Sequence, residues 1–261
     1  MKHYLLALCL LQASGSTAAS SFVFSTGNVT NSIGVASRPA STGKVEIEAT
    51  DDFELPLQTS IESAAFYGLL PSTAPGTVTR VVAKIYRMYP LDSNSGRTPN
   101  VPTRINSPSD VDFVFADSNS ATLGFSVSTL SPSFTALNSV RNGINPTPNQ
   151  LTLGEGAVQG AEARFDISFT PPLVLPAGHY FLVAEVLVDG GDFYWLSAAR
   201  PIVSPGTPFA SDRQANVRNQ NLAPDWLRVG TDIVGGSPAP TYNLAFTLGG
   251  EDDQIFGNGF N

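Results

Sequence analysis

Apolar and polar residues alternate along much of this chain, which is the mark of strands with one buried face. The cleanest stretch is 161–170 (AEARFDISFT). There Ala163, Phe165, Ile167 and Phe169 face one way, and Arg164, Asp166 and Ser168 the other. Pro171-Pro172 follows and is expected to end the run, because proline withholds a backbone donor. Residues 44–49 (KVEIEA) also alternate, with Val45 and Ile47 on one side and Lys44, Glu46 and Glu48 on a side read as solvated. The run 77–89 (TVTRVVAKIYRMY) breaks the period of two, which predicts a bulge or a strand buried on both faces. Residues 61–70, 111–115, 121–130, 179–188, 193–198, 226–229 and 242–248 supply further strands. Turns such as Ala177-Gly178 and Asp189-Gly190-Gly191-Asp192 punctuate them. No window sustains helical spacing. The best helix candidate is short, 211–222, with Ser211 as its N-cap. Strands joined by turns, without helices between them, predict an all-β antiparallel sandwich, jelly-roll-like. Two stretches rich in Pro, Gly, Asn and Ser, 90–110 and 131–160, are expected to be long loops.

The ends of the chain read differently. Met1-Lys2-His3 is a positive n-region, Tyr4 to Leu11 an apolar h-region, and small residues follow, with Thr17 and Ala19 at the −3 and −1 positions of a cleavage site. Residues 1–19 are therefore expected to be a signal peptide, too short in its apolar part to span a bilayer. Cys9, the only cysteine, lies inside it, so the mature chain is expected to lack disulfides and thiolate chemistry. That points to a bacterial exported protein, secreted or held at the cell surface. Residues 20–43 read as an extended arm or edge strand, 44–250 as one sandwich domain, and 251–261 as a flexible tail.

Charge narrows the partners. Charged residues are only 14% of the chain, and the net charge is −8. Nucleic-acid binding needs a basic surface that this composition does not supply. His179 is the only histidine after the leader; it is expected to be a packed or surface strand residue, and no Gly-x-Ser-x-Gly elbow accompanies it. Glycoside hydrolysis needs just two carboxylates, and Glu46, Glu48, Asp51, Asp52 and Glu54 are dense enough to keep that reading as an alternative. Calcium is the more credible ion, with Asp110, Asp112, Asp189 and Asp192 as candidate oxygen ligands, although none matches the twelve-residue calcium-loop spacing. Tyr194, Trp195 and Trp226 are the candidate sugar-stacking aromatics. Trp195 is more simply a core residue, and Trp226 stands open between the two roles.

Several local motifs carry a resemblance. Asp51-Asp52-Phe53 precedes a strand Ile61-x-x-Ala64-x-Phe66-x-Gly68. Leu175-Pro176-Ala177-Gly178-His179-Tyr180-Phe181 opens a late strand. Phe193-Tyr194-Trp195-Leu196 follows, and Ala245-Phe246-Thr247-Leu248-Gly249 closes the series. This order is similar to the uncharacterised sandwich domains of bacterial exported proteins that bear C-terminal sorting tails. The ending Asp253-Gln254-Ile255-Phe256-Gly257-Asn258-Gly259-Phe260-Asn261 resembles a short D-x-I-F-x-x-G-F tail, departing from it in the final Asn. The resemblance implies a sandwich reminiscent of carbohydrate-binding modules, and it brings no catalytic residues. The function expected is a non-catalytic exported binding or surface-associated module, with extracellular polysaccharide or an envelope component as partner. The alternative is a structural envelope or matrix component held by its tail.

Overall fold

The computed structural model describes residues 20–71, 78–89, 105–144, 151–199 and 213–253. The first strands in chain order are β1 (Ser20–Ser25), β2 (Val29–Ala36), β3 (Ile47–Leu55), β4 (Thr59–Pro71), β5 (Val78–Tyr89), β6 (Ser107–Asp117), β7 (Leu123–Ala136) and β8 (Ser139–Val140). They are followed by β9 (Val158–Leu175), β10 (Gly178–Val188), β11 (Tyr194–Ala198), β12 (Asn216–Asn219), β13 (Leu227–Arg228), β14 (Asn243–Leu244) and β15 (Phe246–Asp252). The larger sheet runs β1-β15-β4-β11-β2-β8, with β9 and then β7 on the other side of β4, and β14 on β11. The smaller runs β13-β12-β3-β10-β5-β6. Among the described strand pairs only β2–β8 is parallel. The protein is an all-β sandwich of two largely antiparallel sheets, one of them curled. No described helix is long and apolar enough to cross a membrane.

The alternation in β9 does what its pattern requires. Ala163, Phe165, Ile167 and Phe169 are buried between the sheets, and Arg164 and Asp166 pair on the outer side at 2.7 Å. Phe165 stacks on Phe66 of β4 at 4.8 Å and 5°, and Phe193 closes edge-on against both rings. Gly68 makes room for Phe193: a Cβ there would lie 2.1 Å from the Phe193 ring and 2.5 Å from the Tyr194 carbonyl. The strand β5 is buried on both faces from Val82 to Tyr86, and its pairing with β6 is irregular at Ile85–Met88, as its broken period predicts.

Four expectations are corrected. Pro171-Pro172 does not end β9, which continues to Leu175; the ladder to β4 skips from Ser168 to Leu173, and the prolines fall in that gap, where no donor is required. The helix expected at 211–222 is the strand β12 and a turn over its described part, because Asn216, Val217 and Arg218 are buried in the sheet beside β3. Residues 20–43 are not an arm: β1 is an edge strand, but β2 lies inside the larger sheet between β11 and β8. Within 131–160, the end of β7, β8 and the start of β9 are ordered strands. Residues 1–19, expected to be a signal peptide, and those beyond Asp253 lie outside the described residues, as does most of 90–110.

Candidate functional site

The outer face of the smaller sheet carries charge where the sequence suggested solvent. Strand pairing sets Arg218 beside Glu48, and Val183 beside Lys84 and Thr50. Lys84 Nζ lies 2.8 Å from Glu46 Oε1, 2.8 Å from Glu48 Oε1 and 2.9 Å from Glu185 Oε2. The Arg218 guanidinium pairs with Glu48 and donates to the Tyr86 oxygen at 2.8 Å, and Tyr86 donates onward to Glu48 at 2.8 Å. Arg218 also lies over Trp226 at 4.2 Å, and the Trp226 indole donates to the Ser109 carbonyl at 3.2 Å. Glu48 is therefore buried, not solvated: Arg218 and Lys84 neutralise it there.

Electrostatics separate the two buried glutamates. Burial alone would raise Glu48, but Arg218 and Lys84 outweigh it and hold its carboxyl below the usual range. Burial pushes Glu185 up to about 8 against the pull of Lys84, with Glu46 and Glu48 adding to the rise. Glu185 is wholly buried, and neither of its oxygens makes a well-directed hydrogen bond, despite the nearby Lys84 ammonium. Carboxyls pushed apart in this way can serve as acid and base. Here both are closed off from solvent, and none of the described clefts that follow reaches either. Among the described residues Glu46, Glu48 and Glu185 are also the one group of three acidic, histidine or cysteine ligands within 4.8 Å of one another, and Lys84 places its ammonium among them as a built-in cation.

Two of the resembling motifs meet at the other end of this sheet. His179 Nε2 lies 2.5 Å from Asp52 Oδ2, and Phe53 stacks on Tyr180 at 5.7 Å. Asp51 turns inward and accepts from Leu244 N at 2.7 Å, tying the smaller sheet to β14. The Asp-Asp-Phe run is thus a sheet-coupling device. A cleft of about 320 Å³ lined by Arg87, Met88, His179 and Tyr180 adjoins it.

The aspartate-rich β10–β11 turn shapes a second region. A cleft of about 650 Å³ is lined by Ser41, Thr42, Lys44, Arg141, Asp189 and Asp192, among others. A smaller one of about 150 Å³ is lined by Leu69, Leu70, Val158, Gln159 and Tyr194, and shares Arg141, Gly191 and Asp192 with the first. Asp192 Oδ1 takes Arg38 at 3.1 Å and Lys44 at 2.8 Å, and its Oδ2 takes Arg141 at 3.3 Å. Burial would raise Asp192, but Lys44, Arg38 and Arg141 hold it below its ordinary value. Glu155 accepts from the backbone N–H groups of Arg141, Asn142 and Gly143, which fixes the loop that presents Arg141.

The sequence-derived candidates therefore divide. Tyr194, Asp189 and Asp192 meet along the paired clefts. Trp195 and Trp226 are buried, so neither offers a face to a sugar: Trp195 packs in the core with its indole N–H on the Ala245 carbonyl, and Trp226 caps Tyr86 and Arg218. The four aspartates do not converge on an ion site among the described residues. Asp192 is engaged by three cations instead, and Asp110 and Asp112 lie apart on β6. Lys84, Glu185 and Arg141 were missed. A charge inside an apolar run, as in Val81-Val82-Ala83-Lys84-Ile85 and Leu182-Val183-Ala184-Glu185-Val186, was the available signal for the first two, because such a group is buried only with partners. Arg141 carried no such signal, since it sits in a polar loop. The chain matches no family model, no curated protein and no solved structure.

Proposed function

We propose that this protein is an exported, non-catalytic β-sandwich module that binds extracellular polysaccharide through the paired clefts beside the β10–β11 turn. The observation that carries the reading is the meeting of an apolar floor with a polar wall. Val158 and the Tyr194 ring, over the buried Leu69 and Leu70, line one cleft; Ser41, Thr42, Lys44, Arg141, Asp189 and Asp192 line the next, with Arg141 and Asp192 common to both. Sugar rings pair apolar faces with hydroxyl edges, so recognition needs both surfaces side by side. The composition of residues 1–19 supports export. The burial of Glu48 and Glu185 behind Lys84 and Arg218 supports a binding role over hydrolysis.

The test is retention of the mature protein on a panel of polysaccharides and cell-wall fractions. Binding to at least one, weakened at least tenfold in Tyr194→Leu with unfolding temperature preserved, is the expected result. Retention by none, or release of reducing ends from a bound polymer, would overturn the reading.

A further inference from the structure

We infer that the ligand of these clefts is an acidic glycan, one whose sugars carry carboxylate or sulfate groups; the inference rests on the binding role proposed above. The chain as a whole is acidic, at −8, yet three cations gather here on one carboxylate. Arg38 is packed behind Asp192, at 9% side-chain exposure, whereas Lys44 and Arg141 stand on the cleft wall at 36% and 41%. The donors are under-used. A guanidinium offers five N–H groups. Among the described residues Arg38 and Arg141 each place only Nη1 on Asp192, and Lys44 donates to Asp192 and to the Gly191 carbonyl at 2.6 Å; the Nε of each arginine is buried, out of a ligand's reach. Two other acids lie near. Asp189 lines the larger cleft from the exposed turn, and Glu155 turns its oxygens to the backbone of Arg141, Asn142 and Gly143 and to the Asn142 amide. Neither takes a donor from Lys44 or from the Arg141 side chain among the described contacts. On the exposed wall the balance is still one of donors: the unused Nη N–H groups of Arg141 and one of the three on Lys44.

Ligand chemistry follows from that imbalance. A planar guanidinium matches the two oxygens of a carboxylate or sulfate. A neutral sugar would bring hydroxyls that can donate as well as accept, and would use these cations less fully. The apolar surface of Val158 and Tyr194 lies next to Arg141. A sugar ring resting there would hold its acidic group toward Arg141 and Lys44.

The experiment compares polygalacturonate with its fully methyl-esterified form, and dextran sulfate with dextran, using the mature protein at two salt concentrations. Expected is binding to at least one acidic polymer, at least tenfold tighter than to its neutral partner and weakening as salt rises. Lys44→Ala/Arg141→Ala should lose at least tenfold, with an unchanged circular dichroism spectrum and unfolding midpoint, and Lys44→Arg/Arg141→Lys should recover part of it. Polygalacturonate alone would identify a carboxylate ligand, dextran sulfate alone a sulfate. Equal binding of a neutral partner, or full binding by the double alanine variant, would overturn the acidic assignment and leave the glycan-binding reading standing. Binding to none of the four polymers would overturn the acidic assignment, and retention on the wider panel of polysaccharides and cell-wall fractions would then decide the glycan-binding reading.

Discussion

Replacing Glu185 by glutamine probes a carboxyl with no exposed surface. The side chain is fully enclosed, Lys84 Nζ lies 2.9 Å from one oxygen, and burial lifts its carboxyl to about 8 from an ordinary 4.5. Between those two values the folded protein keeps a proton that the unfolded chain has lost. Stability attributable to this group therefore falls as pH rises from about 4.5 to 8 and levels off above, which is the sign expected when the native state binds the proton more tightly. At about 1.36 kcal/mol per tenfold change, the full displacement is worth on the order of 4–5 kcal/mol. Glutamine keeps the shape of the neutral carboxyl and does not titrate. Urea unfolding of wild type and Glu185→Gln at pH 5, 6, 7, 8 and 9 gives a difference curve in which the other titrating groups largely cancel. The two proteins should be close at pH 5, and the variant more stable by several kcal/mol at pH 8–9. Parallel curves, or a variant that loses ground as pH rises, would refute the reasoning and mean that Lys84 holds Glu185 ionised across the whole range.

Three further substitutions can be checked by the same denaturant titration. Phe165→Ala removes a wholly buried ring stacked on Phe66, and should cost about 3–5 kcal/mol. Asp166→Ala, on the outer side and paired only with the exposed Arg164, should change stability by less than about 1 kcal/mol; a larger loss than that of Phe165→Ala would invert the faces of β9. Gly68→Ala should cost about 1–3 kcal/mol, since the added methyl meets the Phe193 ring and a backbone carbonyl, and a neutral result would show that β11 can shift away from β4.

Strand existence was legible wherever one face of a strand meets water, because the period of two then appears in the residues themselves. In β9 the buried Phe165 and Ile167 and the outward Arg164 and Asp166 can be read directly. That rule fails on the smaller sheet for a physical reason. Its outer face is closed by Trp226 and by the β6 backbone at Ser109, so polar residues pointing outward there are buried too. Glu48 alternates like a surface residue and lies under Arg218; alternation reports which face a residue occupies, not what covers that face. Covering depends on contacts between residues far apart in the chain, such as Lys84 with Glu46 and Arg218 with Glu48, and no local pattern encodes them. The strand β12 was lost for the same reason: its polar residues suit a short helix locally, and only pairing with β3 makes it a strand. The clefts follow this logic half-way. The turn Asp189–Asp192 and the aromatic Tyr194 could be found because turn chemistry and aromatic runs are local. Arg38 and Lys44 come from the β2–β3 connection and Arg141 from the one after β8, and only the folded sandwich sets them around Asp192. The local pattern thus supplied the acid and the aromatic. The surrounding cations, on which any choice between acidic and neutral ligands turns, are a product of the topology.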